Sequence, residues 1–300
     1  MKSKSIILGT RGSKLALIQT EKVRDMLKNA VQGLTVEIKK IKTEGDKDLK
    51  TPLSDFGGRG AFVRSIERAL LRGEIDAAVH SLKDLPSQLP EGLTLGATPE
   101  RIDPRDVLIA DHYSIDTLPT GSIIATGSDR RRVQLKKIRP DIMFTGIRGN
   151  IETRLKKYEN DAIDAVILAA AGLDRLGLNS RISQYFDPEV VVPAPCQGAL
   201  GIECRSDDDE ILSLTKNIEN MNVRVCVDAE RSFIGSLGLG CHAPVGSYAR
   251  IDSGEVEFTG FVYSDLDDRC ITETIRTDRE DVKLAASDLG KKFRLFFIEL

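Results

Sequence analysis

Three groups of residues in this sequence have types and spacings that could perform chemistry. Asp84 follows an apolar stretch and has Lys83 beside it, so its carboxylate would stay ionised and could stabilise a positive charge that develops on a substrate. Cys241 lies in a glycine-rich loop, and a loop thiol is a candidate nucleophile or attachment point. A surface aspartate that begins a turn and an incidental thiol are the alternative interpretations of these two residues.

The third group comprises two turns, Thr10-Arg11-Gly12-Ser13 and Thr126-Gly127-Ser128, each of which follows an apolar strand and opens a helix. A helix N-terminus binds anions, because its unpaired N–H groups and the helix dipole point toward the ligand. Ser13 and Ser128 could instead be simple helix caps.

Arginines concentrate around the second turn: Arg130, Arg131, Arg132, Arg148 and Arg154. The first three lie in the opening turn of a predicted helix, where the dipole disfavours cations, so they indicate a bound anion. Residues 121–160 carry ten Lys and Arg against four acidic residues, a net charge of +6, although the whole chain carries −3. Guanidinium groups suit carboxylates and phosphates. The segment therefore predicts an anion pocket, with a solvated basic face as the alternative.

The elements that must position these groups follow an α/β pattern. Strands and helices alternate to about residue 217, which predicts a mostly parallel sheet. A weak internal repeat relates 5–7 to 122–124 and 75–79 to 163–167, so we expect two similar α/β domains around a cleft unless the similarity is chance. Residues 43–60 contain many breakers and no period, which predicts a long loop typical of a lid.

Composition excludes several classes. The 300 residues include five cysteines without a CxxC pair and three scattered histidines, so neither a disulfide framework nor a metal site is expected. No apolar run approaches a membrane span and no signal peptide is evident, which predicts a cytoplasmic protein. A negative total charge, 5% aromatics and no tryptophan count against nucleic-acid binding. The alternative to an enzyme is an anion-binding domain without chemistry, in which Cys241 carries no adduct.

Nine motifs follow one another along the chain: TRGSKLAL at 10–17, GGRGAF at 57–62, HSLKDLP at 80–86, DPRD at 103–106, TGSDRR at 126–131, RGN at 148–150, AAAGL at 169–173, QGA at 197–199 and GCHAPVGSY at 240–248. In this order they resemble the porphobilinogen deaminase family, also called hydroxymethylbilane synthase, from Ile7 to about residue 275. The resemblance implies a transferase of haem and other tetrapyrrole biosynthesis. Such an enzyme joins four porphobilinogen units, with loss of ammonia, onto a covalent dipyrromethane cofactor and releases hydroxymethylbilane by hydrolysis.

The resemblance also implies the domain organisation. Two α/β domains similar to periplasmic binding proteins would comprise 1–98 with 199–217, and 104–193. A C-terminal α+β domain, 221–300, would carry the cofactor cysteine. A monomer is implied, with no nucleic-acid or membrane partner and with hand-off of the product to uroporphyrinogen III synthase.

The family's functional residues fall on matching positions of this sequence. The catalytic carboxylate is Asp84, and the cofactor is attached through a thioether at Cys241. The residues implied to hold the cofactor are Ser81, Lys83, Thr126, Ser128, Arg130, Arg131 and Gly172. Those implied to hold the substrate are Arg11, Ser13, Gln19, Arg148 and Arg154, with Arg175 and Gln197 nearby. Arg59 and Phe62 belong to the lid, and no metal is implied.

Four positions depart from the family's pattern. Cys196 and Leu239 stand where glycines are usual, Asp129 stands where an uncharged residue is usual, and Glu44 replaces a commonly basic lid residue. None of them removes a catalytic group. We expect them to affect substrate affinity and the lid more than the reaction.

Overall fold

The computed structural model describes residues 5–42, 60–238, 243–265 and 268–298, apart from the side chains at 60–62 and 296–298. The chain divides into two compact units. The first comprises Met1–Ile102 with Ala199–Val227, and the second comprises Asp103–Gly198 with Asp228–Leu300. The finer division into three domains that the sequence suggests stays a prediction.

The strands in chain order are β1 (Ser5–Arg11), β2 (Thr35–Ile41), β3 (Ala77–Ser81), β4 (Leu93–Ala97), β5 (Asp106–Ile109), β6 (Ile123–Ala125), β7 (Met143–Thr145), β8 (Ala165–Ala169), β9 (Gln184–Tyr185), β10 (Leu200–Arg205), β11 (Val245–Asp252), β12 (Glu255–Ser264) and β13 (Arg269–Thr277). The α-helices are α1 (Lys14–Ala30), α2 (Gly60–Leu71), α3 (Asp129–Ile138), α4 (Ile151–Asn160), α5 (Ala170–Arg175), α6 (Asp209–Lys216), α7 (Met221–Leu237) and α8 (Val282–Ile298). Short 3-10 turns cover Leu82–Asp84 and Asn179–Arg181.

Each unit contains a five-stranded sheet of the same topology. The first has the order β2-β1-β3-β10-β4, and the second has the order β7-β6-β8-β5-β9. In both sheets the first three strands are parallel, and the fourth is antiparallel to its two neighbours. The prediction of two similar, mostly parallel α/β domains is therefore confirmed.

The internal repeat extends to individual hydrogen bonds. In the first unit an Oδ2 atom of Asp76 accepts the N–H of Ile7 at 2.8 Å, and in the second Asp164 accepts the N–H of Ile123 at 2.7 Å. In return, each aspartate donates its own backbone N–H to the carbonyl of the same isoleucine. The short apolar strings that match in the sequence are thus equivalent elements, β1 with β6 and β3 with β8.

Apolar residues cover both faces of each sheet. In the first unit, α1 buries Val23 and Leu27 on one face, while α2 buries Ile66 and Leu70 on the other. Ser13 begins α1, since its hydroxyl oxygen accepts the N–H of Ala16 at 3.3 Å. The sheets are rigid supports for the loops at their strand ends.

The second unit also contains an antiparallel sheet, β11-β12-β13, against which α8 packs. Three buried rings, Phe233, Phe258 and Phe293, meet edge to face with centroids 5.5 and 5.6 Å apart. Gly260 is required beneath them, because a Cβ atom there would lie 2.8 Å from the Phe233 ring. The prediction of a small C-terminal α+β arrangement of strands and helices is confirmed. In the described part of the chain, no helix has the length and apolar character needed to span a bilayer.

Candidate active site

In the first unit, the predicted site residues lie at the carboxyl ends of two adjacent parallel strands. Arg11 ends β1, and Ser13 follows it as the cap of α1. Ser81 ends β3, and the 3-10 turn after it carries Lys83 and Asp84, both half-buried. Because carboxyl ends of parallel strands share one edge of the sheet, the fold places these two groups at the same edge.

A hydrogen bond joins the two groups of the first unit. The side-chain amide nitrogen of Gln19, on α1, donates to the Ser81 hydroxyl at 2.7 Å. Gln19 is only 3% exposed, so this contact links α1 to the end of β3 within the packed interior. The structure thus brings together Gln19 and Ser81, which the sequence separates by 62 residues.

Beneath the turn that carries Asp84, acidic groups are buried with one histidine. The Nε2 atom of His80 on β3 lies 3.0 Å from a carboxylate oxygen of Glu203 on β10. Burial raises the pKa of Glu67 on α2, and the charge of Glu203 raises it further, against the opposing effects of His80 and Arg64. Sequence reasoning missed Glu203, although an acid within the apolar run of β10 signals a buried partner.

In the second unit, the predicted residues follow three adjacent parallel strands. Thr126 follows β6, Arg148 follows β7, and the buried Gly172 lies in α5 directly after β8. Ser128 is the N-cap residue of α3, but its hydroxyl makes no capping hydrogen bond. The cap interpretation therefore applies to Ser13 and does not account for the Ser128 hydroxyl.

Arg130 and Arg131 are buried, and they meet a carboxylate of the chain itself. Arg130 donates to one oxygen of Asp106 at 2.6 Å, and Arg131 donates to the other at 2.7 and 3.0 Å. Burial acts to raise the pKa of Asp106, but the two guanidiniums outweigh it and hold that pKa well below its ordinary value. In the sequence, the position of these arginines indicates a bound anion. The structure shows that one anion they meet is an internal carboxylate, Asp106, the last residue of the DPRD motif.

Backbone carbonyls fix the same two side chains. Arg130 donates to the carbonyl of Val192 at 2.5 Å, and Arg131 donates to that of Ile167 at 3.0 Å. The side chain of Gln197 lies in the same cluster, since its amide nitrogen donates to Asp106 at 2.9 Å.

Three other arginines of the second unit bond to groups of the same unit. Arg175 donates to the carbonyl of Gly198 at 2.9 Å, and Arg154 donates to that of Gly149 at 2.8 Å. Arg132 pairs with the exposed Asp129 at 3.0 Å. Asp129, which departs from the family's pattern, is thus directed to a neighbouring arginine outside the Asp106 cluster.

Other predicted residues lie outside the described residues: Cys241, Arg59, Glu44, Leu239 and the lid segment 43–59. The backbone of Phe62 belongs to α2. Of the four described cysteines, Cys196, Cys204 and Cys226 are buried. Burial raises the pKa of the Cys204 thiol to about 12, so that residue is a poor nucleophile.

Comparison with known proteins gives one family. The family model described as "Porphobilinogen deaminase, dipyromethane cofactor binding domain" matches residues 6–213, and that of the "Porphobilinogen deaminase, C-terminal domain" matches residues 224–298. The porphobilinogen deaminase of Halalkalibacterium halodurans is 49% identical over 91% of this chain and 89% of its own length. That of Staphylococcus carnosus is 46% identical over 96% and 95%.

Among solved structures, the methionine binding protein MetQ aligns with 73% of this chain and 92% of its own, with 14% identity and a TM-score of 0.46. Assignment to a family therefore depends on the sequence comparisons. Because both parts of the family model match in order, and relatives nearly half identical match over most of their length, the chain belongs to the porphobilinogen deaminase family.

Proposed function

We propose that this protein joins porphobilinogen units into hydroxymethylbilane on a dipyrromethane cofactor, with Asp84 as its catalytic carboxylate and Cys241 as the attachment residue. Membership of the porphobilinogen deaminase family supports the reaction. The observation that carries the site is the cluster of Arg130 and Arg131, buried within the segment matched by the cofactor-binding family model.

The residues of the second unit fit a cofactor that bears acetate and propionate groups. Guanidinium groups bind carboxylates in a bidentate manner, and Arg130 and Arg131 are fixed in the interior rather than free in solvent. The Ser128 hydroxyl adds a donor at the N-terminus of α3, where the helix dipole also favours an anion. When bound, the cofactor supplies the carbon nucleophile onto which the first substrate unit is joined.

Asp84 acts on the substrate in this proposal. Loss of ammonia from porphobilinogen leaves positive charge on the pyrrole, and a carboxylate that contacts the ring nitrogen stabilises that charge. The same carboxylate receives and returns a proton at its oxygen atoms. Its position in a 3-10 turn after β3, half-buried, limits its motion and its access to water.

Other residues bind and orient carboxylates. In the first unit, Ser81 and Lys83 hold the cofactor, and Arg11, Ser13 and Gln19 hold the substrate. In the second unit, Thr126 and Gly172 hold the cofactor, and Arg148 and Arg154 hold the substrate, with Arg175 and Gln197 nearby. Arg59 and Phe62 act from the lid.

The proposal includes a cytoplasmic monomer that passes its product to uroporphyrinogen III synthase. The C-terminal domain, 221–300, carries Cys241 in this organisation.

Intact mass spectrometry of the protein as isolated tests the proposal. We expect an adduct with the mass of dipyrromethane, and we expect Cys241→Ser to lack it. Cys270→Ser is the matched control, because Cys270 is the partly exposed cysteine among those described, and it should retain the adduct. An unmodified wild-type protein that is fully active would exclude the attachment.

Asp84→Ala tests the catalytic role separately. The variant should carry the adduct and lose nearly all turnover, about a hundredfold or more, because general acid–base work alone contributes that much. Asp25→Ala, which neutralises an exposed aspartate on α1, is the control and should turn over normally. Normal product formation by Asp84→Ala would refute the assignment.

A further inference from the structure

The segment 191–200 is buried along its whole length, which is unusual for a connection between elements. At its centre, the amide nitrogen of Gln197 donates to the carbonyl of Pro104 at 2.7 Å and to Oδ1 of Asp106 at 2.9 Å. The same Oδ1 atom accepts both hydrogen bonds from Arg131, while Oδ2 accepts from Arg130. Gln197 therefore fixes the carboxylate that both arginines share.

The residue before Gln197 is held in a costly conformation. Cys196 has a φ of +59°, in the left-handed region that favours glycine. Such a conformation persists only where surrounding contacts enforce it. One such contact is made by the backbone N–H of Cys196, which donates to Glu230 at 2.5 Å.

Glu230 belongs to α7 and is fully buried. Its other carboxylate oxygen accepts the N–H of Ala249 on β11 at 2.8 Å, so the carboxylate is fixed by two backbone groups. Glu230 thereby connects the C-terminal helix and sheet to the turn that presents Gln197. The same helix ends at Leu237, four positions before Cys241 in the sequence.

We propose that Gln197 is a positioning residue, which acts through Asp106 to orient Arg130 and Arg131, and that Glu230 sets its position from the C-terminal domain. The inference deepens the proposed function and rests on it. With both oxygens of Asp106 held, each guanidinium has one preferred plane, so the pair meets an incoming carboxylate without reorganising. Assembly of the cofactor site then depends on a residue that need not touch cofactor or substrate.

The test compares Gln197→Leu with Gln134→Leu. Both are the same substitution at buried positions of the second unit. The Gln134 side chain bonds the carbonyl of Arg130 and the backbone of Val192, whose carbonyl also accepts from Arg130. Among the described residues, it makes no hydrogen bond with the shared Asp106 carboxylate. Measured quantities are the fraction of protein with the adduct by intact mass, kcat and KM of the loaded fraction, and Tm.

We expect Gln197→Leu to be isolated with about a tenfold smaller loaded fraction, and its loaded fraction to lose about tenfold in kcat with KM within twofold. Gln134→Leu should load about fivefold better than Gln197→Leu, because it leaves the Asp106 carboxylate and its bonds to both arginines in place. Glu230→Gln, which keeps the shape and removes the charge, should change loading in the same direction as Gln197→Leu. If Gln197→Leu does not fold, Gln197→Met gives the same comparison with a flexible chain of similar volume.

Two outcomes would overturn the proposal. Full loading of Gln197→Leu, whether or not KM rises, would show that Gln197 does not orient the arginines, and a raised KM would assign it to substrate contact. If Gln197→Leu and Gln134→Leu lose the same amount of loading and the same amount of Tm, the effect comes from disturbed packing and not from the bond to Asp106. Failure of the proposed function has a different signature, since wild-type protein would then carry no adduct.

Discussion

At the scale of single residues, the second unit depends on charges that are paired before any ligand arrives. Asp106 is fully buried, and its ionised form is stable because Arg130 and Arg131 surround it. Removing one partner of a buried pair leaves an uncompensated charge and costs about 3–5 kcal/mol. The carboxylate is therefore part of the fold as well as of the site.

Cys196 provides a stability test at this scale. We predict that Cys196→Gly is more stable than Cys196→Ala by about 1 kcal/mol, because a left-handed φ penalises any side chain with a Cβ atom. At ordinary positions the order is reversed, since glycine loses more entropy on folding. Urea unfolding of the two variants measures the difference. A more stable alanine variant would show that this φ is not strained.

Glu67 provides a pH test. Because burial and Glu203 raise its pKa in the folded state, the native protein binds more protons here than the unfolded chain does. Its contribution to stability is present below the unfolded pKa and is lost as pH rises through the folded pKa. We predict that Glu67→Gln, which is neutral throughout, gains stability relative to wild type as pH increases from 4.5 to 8.

Urea unfolding at several pH values follows this difference, with the exposed Glu91→Gln as the matched control. A difference between Glu67→Gln and wild type that stays constant or shrinks with rising pH would contradict the assignment.

At the scale of elements, both units position their predicted ligand-binding residues in the same way. A strand ends, a turn follows, and the polar residues assigned to the ligand lie in that turn or at the start of the next helix. Arg11 at the end of β1 and Ser13 after it occupy the place in the first unit that Thr126 and Ser128 after β6 occupy in the second. The two turns differ in detail, because the Ser13 hydroxyl makes a capping hydrogen bond and the Ser128 hydroxyl does not.

The equivalent aspartates test the repeat as a pair. We predict that Asp164→Ala lowers the free energy of unfolding by about 1 kcal/mol, because the N–H of Ile123 loses its acceptor. Asp76→Ala should cost more, since Asp76 also lies 3.5 Å from Arg205. Asn variants keep an acceptor oxygen and should lose less than half as much. Urea unfolding measures the loss of stability in each variant. A larger loss for Asp164→Ala than for Asp76→Ala would contradict the prediction.

At the scale of the whole molecule, charge is distributed unevenly. A net charge of −3 excludes a polyanion that covers the whole surface, but the +6 segment at 121–160 suits a small molecule with several carboxylates. Within that segment, the basic residues differ in burial. Arg130 and Arg131 are buried, Arg148 after β7 and Arg154 on α4 are half-buried, and Lys136 and Lys137 are exposed.

Salt tests this distribution. We predict that the KM for porphobilinogen rises about threefold or more between 0.1 and 1 M potassium chloride, as the Debye length falls from about 10 to 3 Å. The kcat should change less than twofold, because buried pairs are screened little. Glycerol at equal osmolality is the control. A KM that is independent of salt would show that charge does not guide the substrate.

The sequence by itself determined much of the fold and the family. Alternation of apolar strands and helices, turn residues and capping positions are local properties, so the α/β order, the Ser13 cap and the C-terminal hairpins were predictable. The motifs fix the family because each combines several residues in a set order.

Only the tertiary structure decided which residues share the interior. Asp106, Gln197 and Glu230 lie up to 124 residues apart in the chain, and no periodicity links them. Their importance arises because burial removes water, so each charge or polar group must find its partner from a distant element. The left-handed conformation of Cys196 and the buried Glu203 arise in the same way. Local sequence preferences cannot encode a contact that exists only after the chain has folded.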